Sequence, residues 1–448
     1  MTSLAVARLE AWLETMRAPA TRPDSPPLSP VAPVAASTGY GGPVVHWWRD
    51  SLRFCGPGCD WRYEGIILGY LALYQGTGQR RWLEKATRAG DDLVAAQSPA
   101  GNYRHSSFEL NPRTAGTPHE AAADIGLLGL AAELKRQAHP SWPRYLAAAE
   151  RNLRDFYIGR LWDENARRFC DNLEHTSFVP NKAATVVEAL FRLADLTAED
   201  ERLERYIIPT LDAVLLHQVR GEGHSLDGGI AQNSFHGAVV EKYFPYYVAR
   251  CVPALVEAAR RYQDARYRLS ALAAGDFLRR WRDPDGAFPQ VVYPHRRVNR
   301  YPRWVGGLGD ILRALDLLRP HGIEVHAEPS RRWLLSRQLA SGAFRSADGF
   351  SAQVSQRPPV GPPDARDLLP VVGWADKAFR YLAGQAAEPV DHLTVAIAAT
   401  EIPCLVRGRP AVYHEDESVV EITIGPAVCY RWRKGQPWAF ADFQGRRA

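Results

Sequence analysis

WRYEGIILGYLALYQGTGQRRWLEKATRAGDDLVAAQ, residues 61–97, reads as a short apolar helix, a turn containing Gly76 and Gly78, and then an amphipathic helix. Similar pairs follow from about 119, 181, 241 and 304, with a partial one near 370, so the pattern returns every roughly 55–65 residues. Helical hairpins at that period stack into a solenoid or close into a ring.

The two helices of each pair differ in character. The first is the more apolar, over Gly65 to Tyr74, Ala121 to Leu134, Ala183 to Leu193, Tyr246 to Tyr262 and Leu308 to Leu318. The second carries more charge, as in Arg81 to Gln97, Trp142 to Tyr157 and Arg266 to Trp281. A helix apolar nearly all round belongs inside a ring and an amphipathic one outside it. Turns within a pair are short. Connections between pairs are long, about 98–119, 160–181, 219–240, 282–303 and 341–370, and they gather where the inner helices begin. Long loops on a rigid scaffold are where sites are built, and helix N-termini favour anionic groups there.

The ends of the chain read differently. Residues 1–45 hold a short helix, with Leu4, Leu9, Trp12, Leu13 and Met16 as an apolar stripe, followed by a Pro-, Ser- and Ala-rich connector. The repeats are expected over 46–385. Within 386–448 the runs HLTVAIA, CLVRG, AVYHED, VVEITIG and AVCYRWR suggest a small β element whose Trp432 and Trp438 could cover the ring.

With 448 residues and 46% hydrophobic composition the chain can bury a substantial core. A net charge of +5, with arginines scattered among acids, argues against a nucleic-acid partner. MTSLAVARLEAWLETMRAP lacks an uninterrupted apolar region, so no secretory signal is expected, and no segment is apolar enough to span a membrane. Six cysteines cannot staple this much chain, which makes a reducing cytoplasm the expectation. Cys55 and Cys59 form one close pair; no second pair completes a metal site, and neither metal nor other cofactor is expected.

The starts of the inner helices carry acids and bases: Asp60 and Glu64, Glu120 and Asp124, Lys182, Glu241 and Lys242, Asp310, and Asp376. Spacings of four put Asp60 with Glu64, and Glu120 with Asp124, on one helix face. Any one such acid is ordinarily a cap or a dipole partner. As a set converging on a cavity, they suit a general acid and a nucleophile or base for glycosidic cleavage. Asp124 or Glu120 with Asp310 or Glu241 is the expected catalytic combination. The loop GEGHSLDGGIAQNSFHGAVVEKYFPYY adds His224, Asp227, Asn233, His236 and Tyr243, a set that also suits a uronate lyase. Aromatic residues crowd the loops, among them Tyr103, Phe108, Phe169, Phe178, Phe235, Phe288, Tyr293, Tyr301 and Trp304, and they suit sugar faces as well as a core. Arg104, His105, Arg113, Arg296, Arg297, Arg300 and Arg303 could receive carboxylates or phosphates.

This pattern over about 60–385 resembles the six-hairpin, or (α/α)6 toroid, glycosidase-like proteins, among them hydrolases, sugar epimerases and polysaccharide lyases. The resemblance rests on architecture and implies a mainly α fold with a pocket at the inner-helix N-termini. Glu64, Glu120, Asp124, Glu241, Asp310 and Asp376 fall in that region, with Trp61, Tyr103, His105, His236, Tyr243, Arg303 and Trp304 as further substrate-binding positions. A glycoside hydrolase acting on an oligosaccharide or glycoconjugate, an anionic one included, is the leading expectation, with the protein a monomer or homodimer. A uronate lyase or epimerase, a terpene cyclase-like toroid and a non-catalytic glycan- or protein-binding ring are the alternatives. DPDGAFPQ at 283 and SGAFRSADG at 341 look loosely like turns of toroid terpene cyclases, whose acid-rich motif is absent.

Overall fold

The computed structural model describes residues 2–18, 39–45, 52–55, 61–103, 117–173, 177–221, 223–323, 326–352, 355–386, 395–435 and 442–443. In chain order its helices are α1 (Thr2–Thr15), α2 (Arg62–Thr77), α3 (Arg80–Ala96), α4 (Ala121–Arg136), α5 (Trp142–Arg151), α6 (Pro180–Thr197) and α7 (Asp200–Leu216). There follow α8 (Pro245–Tyr262), α9 (Ala265–Trp281), α10 (Leu308–Leu318), α11 (Glu328–Leu335), the single turn α12 (Ala365–Leu368) and α13 (Val372–Gly384).

Helices α2, α4, α6, α8, α10 and α13 pack each against the next, and α13 returns to α2, closing a ring. The sequence explains the layers. In α4 only Gly129, Ala132, Lys135 and Arg136 offer any exposed side, as expected of an inner helix, whereas α3 buries Trp82, Leu83, Ala86, Ala89, Gly90 and Leu93 along one stripe. The closing seam is tight. A Cβ on Gly65 would fall 2.2 Å from the Asp376 carbonyl oxygen, and one on Gly309 2.4 Å from the Lys377 backbone, so both positions need glycine.

The sixth outer position is filled from the far end of the chain. Helix α1 packs on α13, with Val6, Leu9, Trp12 and Leu13 fully buried. Glu10 pairs with Lys85, and Glu14 with Arg88 at 2.7 Å, which ties α1 to α3. Outer helix α5 continues as a π-helical stretch, Asn152–Leu161, where a regular helix was expected to run to Tyr157. Asn152, where that stretch begins, reaches Asp124 of α4.

Strands Thr400–Val406, Arg409–Glu415, Val419–Ile424 and Ala427–Arg433 form an antiparallel meander. Its first turn, Arg407-Gly408, has positive φ at both residues, as tight hairpins require. The strand expected in HLTVAIA does not form over residues 395–399. Glu415, fully buried, joins the sheet to the ring. It accepts hydrogen bonds from Trp12 Nε1 (2.9 Å), Ser341 Oγ (2.6 Å) and Tyr413 Oη (2.9 Å), and pairs with Lys434 at 2.9 Å.

Candidate active site

Because every inner helix runs the same way, their N-termini meet at one end, together with the long loops and their two-stranded ribbons at 162–163/168–169, 233–235/238–240, 291–292/298–299 and 303–304/347–348. Aromatic rings form the mouth of the ring there. Trp374, at the start of α13, is partly exposed and is surrounded by Trp61 (5.4 Å between ring centroids), Tyr246 (5.6 Å) and Trp304 (5.3 Å, stacked). His119 stands edge-on to Trp61 at 5.2 Å, and Phe350 continues the wall beyond Trp304 at 6.0 Å. Glycines make room for these rings: a Cβ on Gly373 would lie 2.7 Å from the Trp61 indole, and one on Gly306 2.2 Å from Trp374 Cβ. Gly373→Ala is therefore expected to displace Trp61 at a cost of about 1–3 kcal/mol, read as a lower melting temperature. An unchanged melting curve would contradict the close fit.

Beneath the mouth the lumen is filled by charge. Glu64 accepts from Arg250 Nη1 (2.9 Å), Arg380 Nη1 (2.5 Å) and Lys377 Nζ (2.9 Å). Arg380 Nη2 reaches Asp310 at 2.5 Å, and Glu188 is held by Arg313 and lies 4.0 Å from Arg250. Asp376 accepts from Lys377 Nζ (2.8 Å) and the Gly65 amide (3.1 Å). This lattice links α2, α6, α8, α10 and α13. Burial alone would raise the Glu64 carboxyl, but Arg250, Arg380, Lys377 and Arg313 hold it well below the usual range. Glu188 is likewise raised by burial and brought down to about 2 by Arg313, Arg250 and Arg192. Asp376 goes the other way: burial lifts it to about 7 in spite of Lys377. Each of these carboxylates is paired with cations.

The α4 wall is built differently. Asp124 is fully buried and accepts from Tyr103 Oη (2.6 Å) and Asn152 Nδ2 (2.7 Å), and among the described residues no cation pairs with it. Burial pushes its carboxyl well above the usual range against the pull of those two bonds. Glu120, one turn earlier, is also buried. His119 is held well below an ordinary histidine by burial and by the neighbouring charges of Arg250, Lys377 and Lys182, so its imidazole is neutral.

The other expected positions scatter. Glu241 and Lys242 are exposed, and Tyr243 pairs through its backbone with Val292. His236 sits at the turn of the exposed 233–240 hairpin, φ +48°. His224 and Asp227 bond to amides within their own loop, as a self-contained Gly-rich turn does. Arg303 is committed to Asp285 (2.8 Å) and Asp348 (3.0 Å) rather than open to a ligand, while Lys182 pairs with Asp171 at 2.9 Å. Asp60, Arg104, His105, Phe108, Arg113, Cys59 and Trp438 lie outside the described residues.

His119, Trp374, Arg250, Lys377 and Arg380 were not among the expected site residues. A signal for three of them was present: Arg250 interrupts an apolar inner helix, and Lys377 and Arg380 do the same within DKAFR at 376–380. Charge on a helix that must face the lumen calls for partners there.

No protein-family profile matches the chain, and no curated protein matches it. Solved structures do. An unsaturated glucuronyl hydrolase specific for heparin superposes with a TM-score of 0.56 at 14% identity, over 86% of this chain and 94% of that one. D-mannose isomerase gives 0.57 at 11% identity, over 85% and 97%. Cellobiose 2-epimerase from Bacillus thermoamylovorans B4167 gives 0.56 at 11%, over 79% and 92%. The fold is the (α/α)6 toroid. At such identities the likeness extends to the fold alone, and the chemistry rests on the residues at the mouth. Among the described residues, no helix is long and apolar enough to cross a membrane.

Proposed function

We propose that the mouth of the toroid binds a sugar and that the chain is a carbohydrate-active enzyme. The observation that carries this reading is the partly exposed Trp374, ringed by Trp61, Tyr246 and Trp304 above a polar lumen. Flat apolar faces with hydrogen-bonding groups beside them suit a pyranose ring. The leading activity is glycoside hydrolysis of an oligosaccharide or glycoconjugate. Hydrolysis needs a carboxyl that still holds its proton and a carboxylate that does not. Asp124 suits the first role, since burial raises its carboxyl well above the usual carboxylate range, with Glu120 beside it on the same helix face. Asp310, paired with Arg380 at the edge of the arginine lattice, is the candidate second carboxyl.

The cations around His119 bear on the substrate. Arg250, Lys377 and Lys182 give the floor a positive field, to which the inner-helix N-termini add. A sugar carrying a carboxylate fits that field better than a neutral one. The same feature favours a second reading, isomerisation or epimerisation, in which neutral His119 takes a proton next to a carbonyl and the cations stabilise the resulting enediolate.

Incubation with neutral and uronate-containing oligosaccharides, and with free mannose and cellobiose, separates these readings. New reducing ends without ultraviolet absorbance indicate hydrolysis, and absorbance from an unsaturated product indicates elimination. A changed sugar without bond cleavage indicates isomerisation or epimerisation. Sugar binding with none of these products would leave a non-catalytic glycan-binding ring. In the hydrolytic case Asp124→Asn is expected to lower turnover by about 10²–10⁴-fold with the fold retained. An unchanged rate would remove Asp124 from the acid role.

A further inference from the structure

We infer that Lys377 is the positioning residue of the mouth, holding Trp61 in place across the seam where the ring closes. The inference rests on the reading of the mouth as a sugar site and assigns the part that makes its wall rigid. Lys377 is 1% exposed, and its ammonium spends its three donors on three acceptors. These are the Trp61 carbonyl oxygen at 3.1 Å, Glu64 Oε2 at 2.9 Å and Asp376 Oδ2 at 2.8 Å. The same nitrogen stands 5.2 Å from the centroid of the Trp61 ring. Trp61 therefore meets Lys377 through both its backbone and its indole.

The location gives this contact its consequence. Trp61 immediately precedes α2 as its N-cap and makes no capping bond through its own side chain, while Asp376 Oδ2 accepts from the Gly65 amide in the first turn at 3.1 Å. Residues 56–60 before it lie outside the described structure, and Trp61 is met from α13 and from the α4 side of the mouth. From α13 come Gly373 beneath the indole, Trp374 edge-on to it, and Lys377 one turn further along. Residues 373, 374 and 377 share one face of α13 by their helical spacing. That face thus carries the ring-binding surface at its top and the tether of that surface just below. The other charges facing Lys377 are Glu64 from α2, its own neighbour Asp376, and, through Glu64, Arg250 of α8, Arg313 of α10 and Arg380 of α13. Glu64 keeps its arginines when Lys377 is removed, whereas Trp61 loses this cation. The defect is accordingly expected at the mouth more than in the lumen.

Lys377→Met alone leaves Asp376 buried without its ammonium, so the test also uses the double variant Lys377→Met/Asp376→Asn, read against Asp376→Asn alone because Asp376 itself accepts from the Gly65 amide. Circular dichroism with thermal melting establishes folding. Amide hydrogen exchange over residues 61–65 then reads the start of α2, and calorimetric titration with methyl β-D-glucuronide and methyl β-D-glucoside reads the mouth. Exchange over 61–65 is expected to accelerate at least tenfold in the folded double variant, with exchange in α6 and α8 unchanged and affinity for whichever glycoside the parent binds reduced at least tenfold. Lys377→Arg, which keeps a cation and donors, is expected to recover part of both. Unchanged exchange at 61–65 in the folded double variant would overturn the inference, and so would exchange that rises equally in every inner helix. If the parent protein binds neither glycoside, the sugar reading is what fails, and the exchange result still decides the role of Lys377.

Discussion

Glu64→Gln is expected to destabilise the protein by about 3–5 kcal/mol, the range for breaking a buried ion pair from one side. Three cations donate to Glu64 and a fourth, Arg313, lies 3.8 Å away; an amide offers no charge to any of them. Chemical unfolding at pH 7 measures the loss, and a difference below about 1 kcal/mol would show that the lattice rearranges around the amide. The pH dependence follows from the same groups. Glu64 and Glu188 are held below the value they have in the unfolded chain, so their contribution is complete above about pH 4.5. It is lost as pH falls toward about 2, where Glu188 takes its proton. The parent should lose stability through that acid window, and Glu64→Gln should lose less there because one of the titrating groups is gone. Asp376, lifted to about 7, has the opposite sign: its contribution is present at low pH and is lost as pH rises through 7.

The second large effect is expected at the junction of the two chain ends. Glu415→Ala removes the acceptor of Trp12, Ser341 and Tyr413 and strands the Lys434 ammonium, which is almost completely buried. A loss of about 3–5 kcal/mol is again expected, with α1 becoming the fastest-exchanging helix of the ring. Glu415→Gln keeps one acceptor oxygen and loses the ion pair together with the bonds accepted by the other oxygen, so it should lie between the parent and Glu415→Ala. Wild-type protection of α1 in Glu415→Ala would mean that α1 is held by its apolar stripe and by α3 alone.

The inner and outer layers were legible in the sequence because each depends on a local quantity, the width of the apolar stripe on one helix. α3 shows a stripe and α4 shows almost none, and that difference places one outside and the other inside. The end of the ring where the long loops gather was legible for a similar reason: short and long connections alternate. The π-helical turn at 152–161 was not, since nothing in its composition distinguishes it from the regular outer helix expected there.

The acids were legible as a group and illegible one by one. Glu64 and Asp124 both stand in the first turn of an inner helix, yet one is ionised among four cations and the other is buried among neutral hydroxyl and amide donors. Their partners lie far away in sequence: Arg250 is 186 residues from Glu64, and Arg380 is 316. In the glycine-rich loop at 221–243 the partners are local instead: the backbone of the loop itself takes up Asp227 and His224.

By itself the sequence determined the helical hairpins, their layering and the β element at the C-terminal end, because periodic burial and turn chemistry act over a few residues. The tertiary structure decided that α1 fills the sixth outer position, that Trp374 and His119 belong to the mouth, and which carboxyls are raised and which are lowered from their usual range. Those outcomes depend on the dielectric and on the charges that ring closure brings together, and neither quantity exists until distant parts of the chain meet.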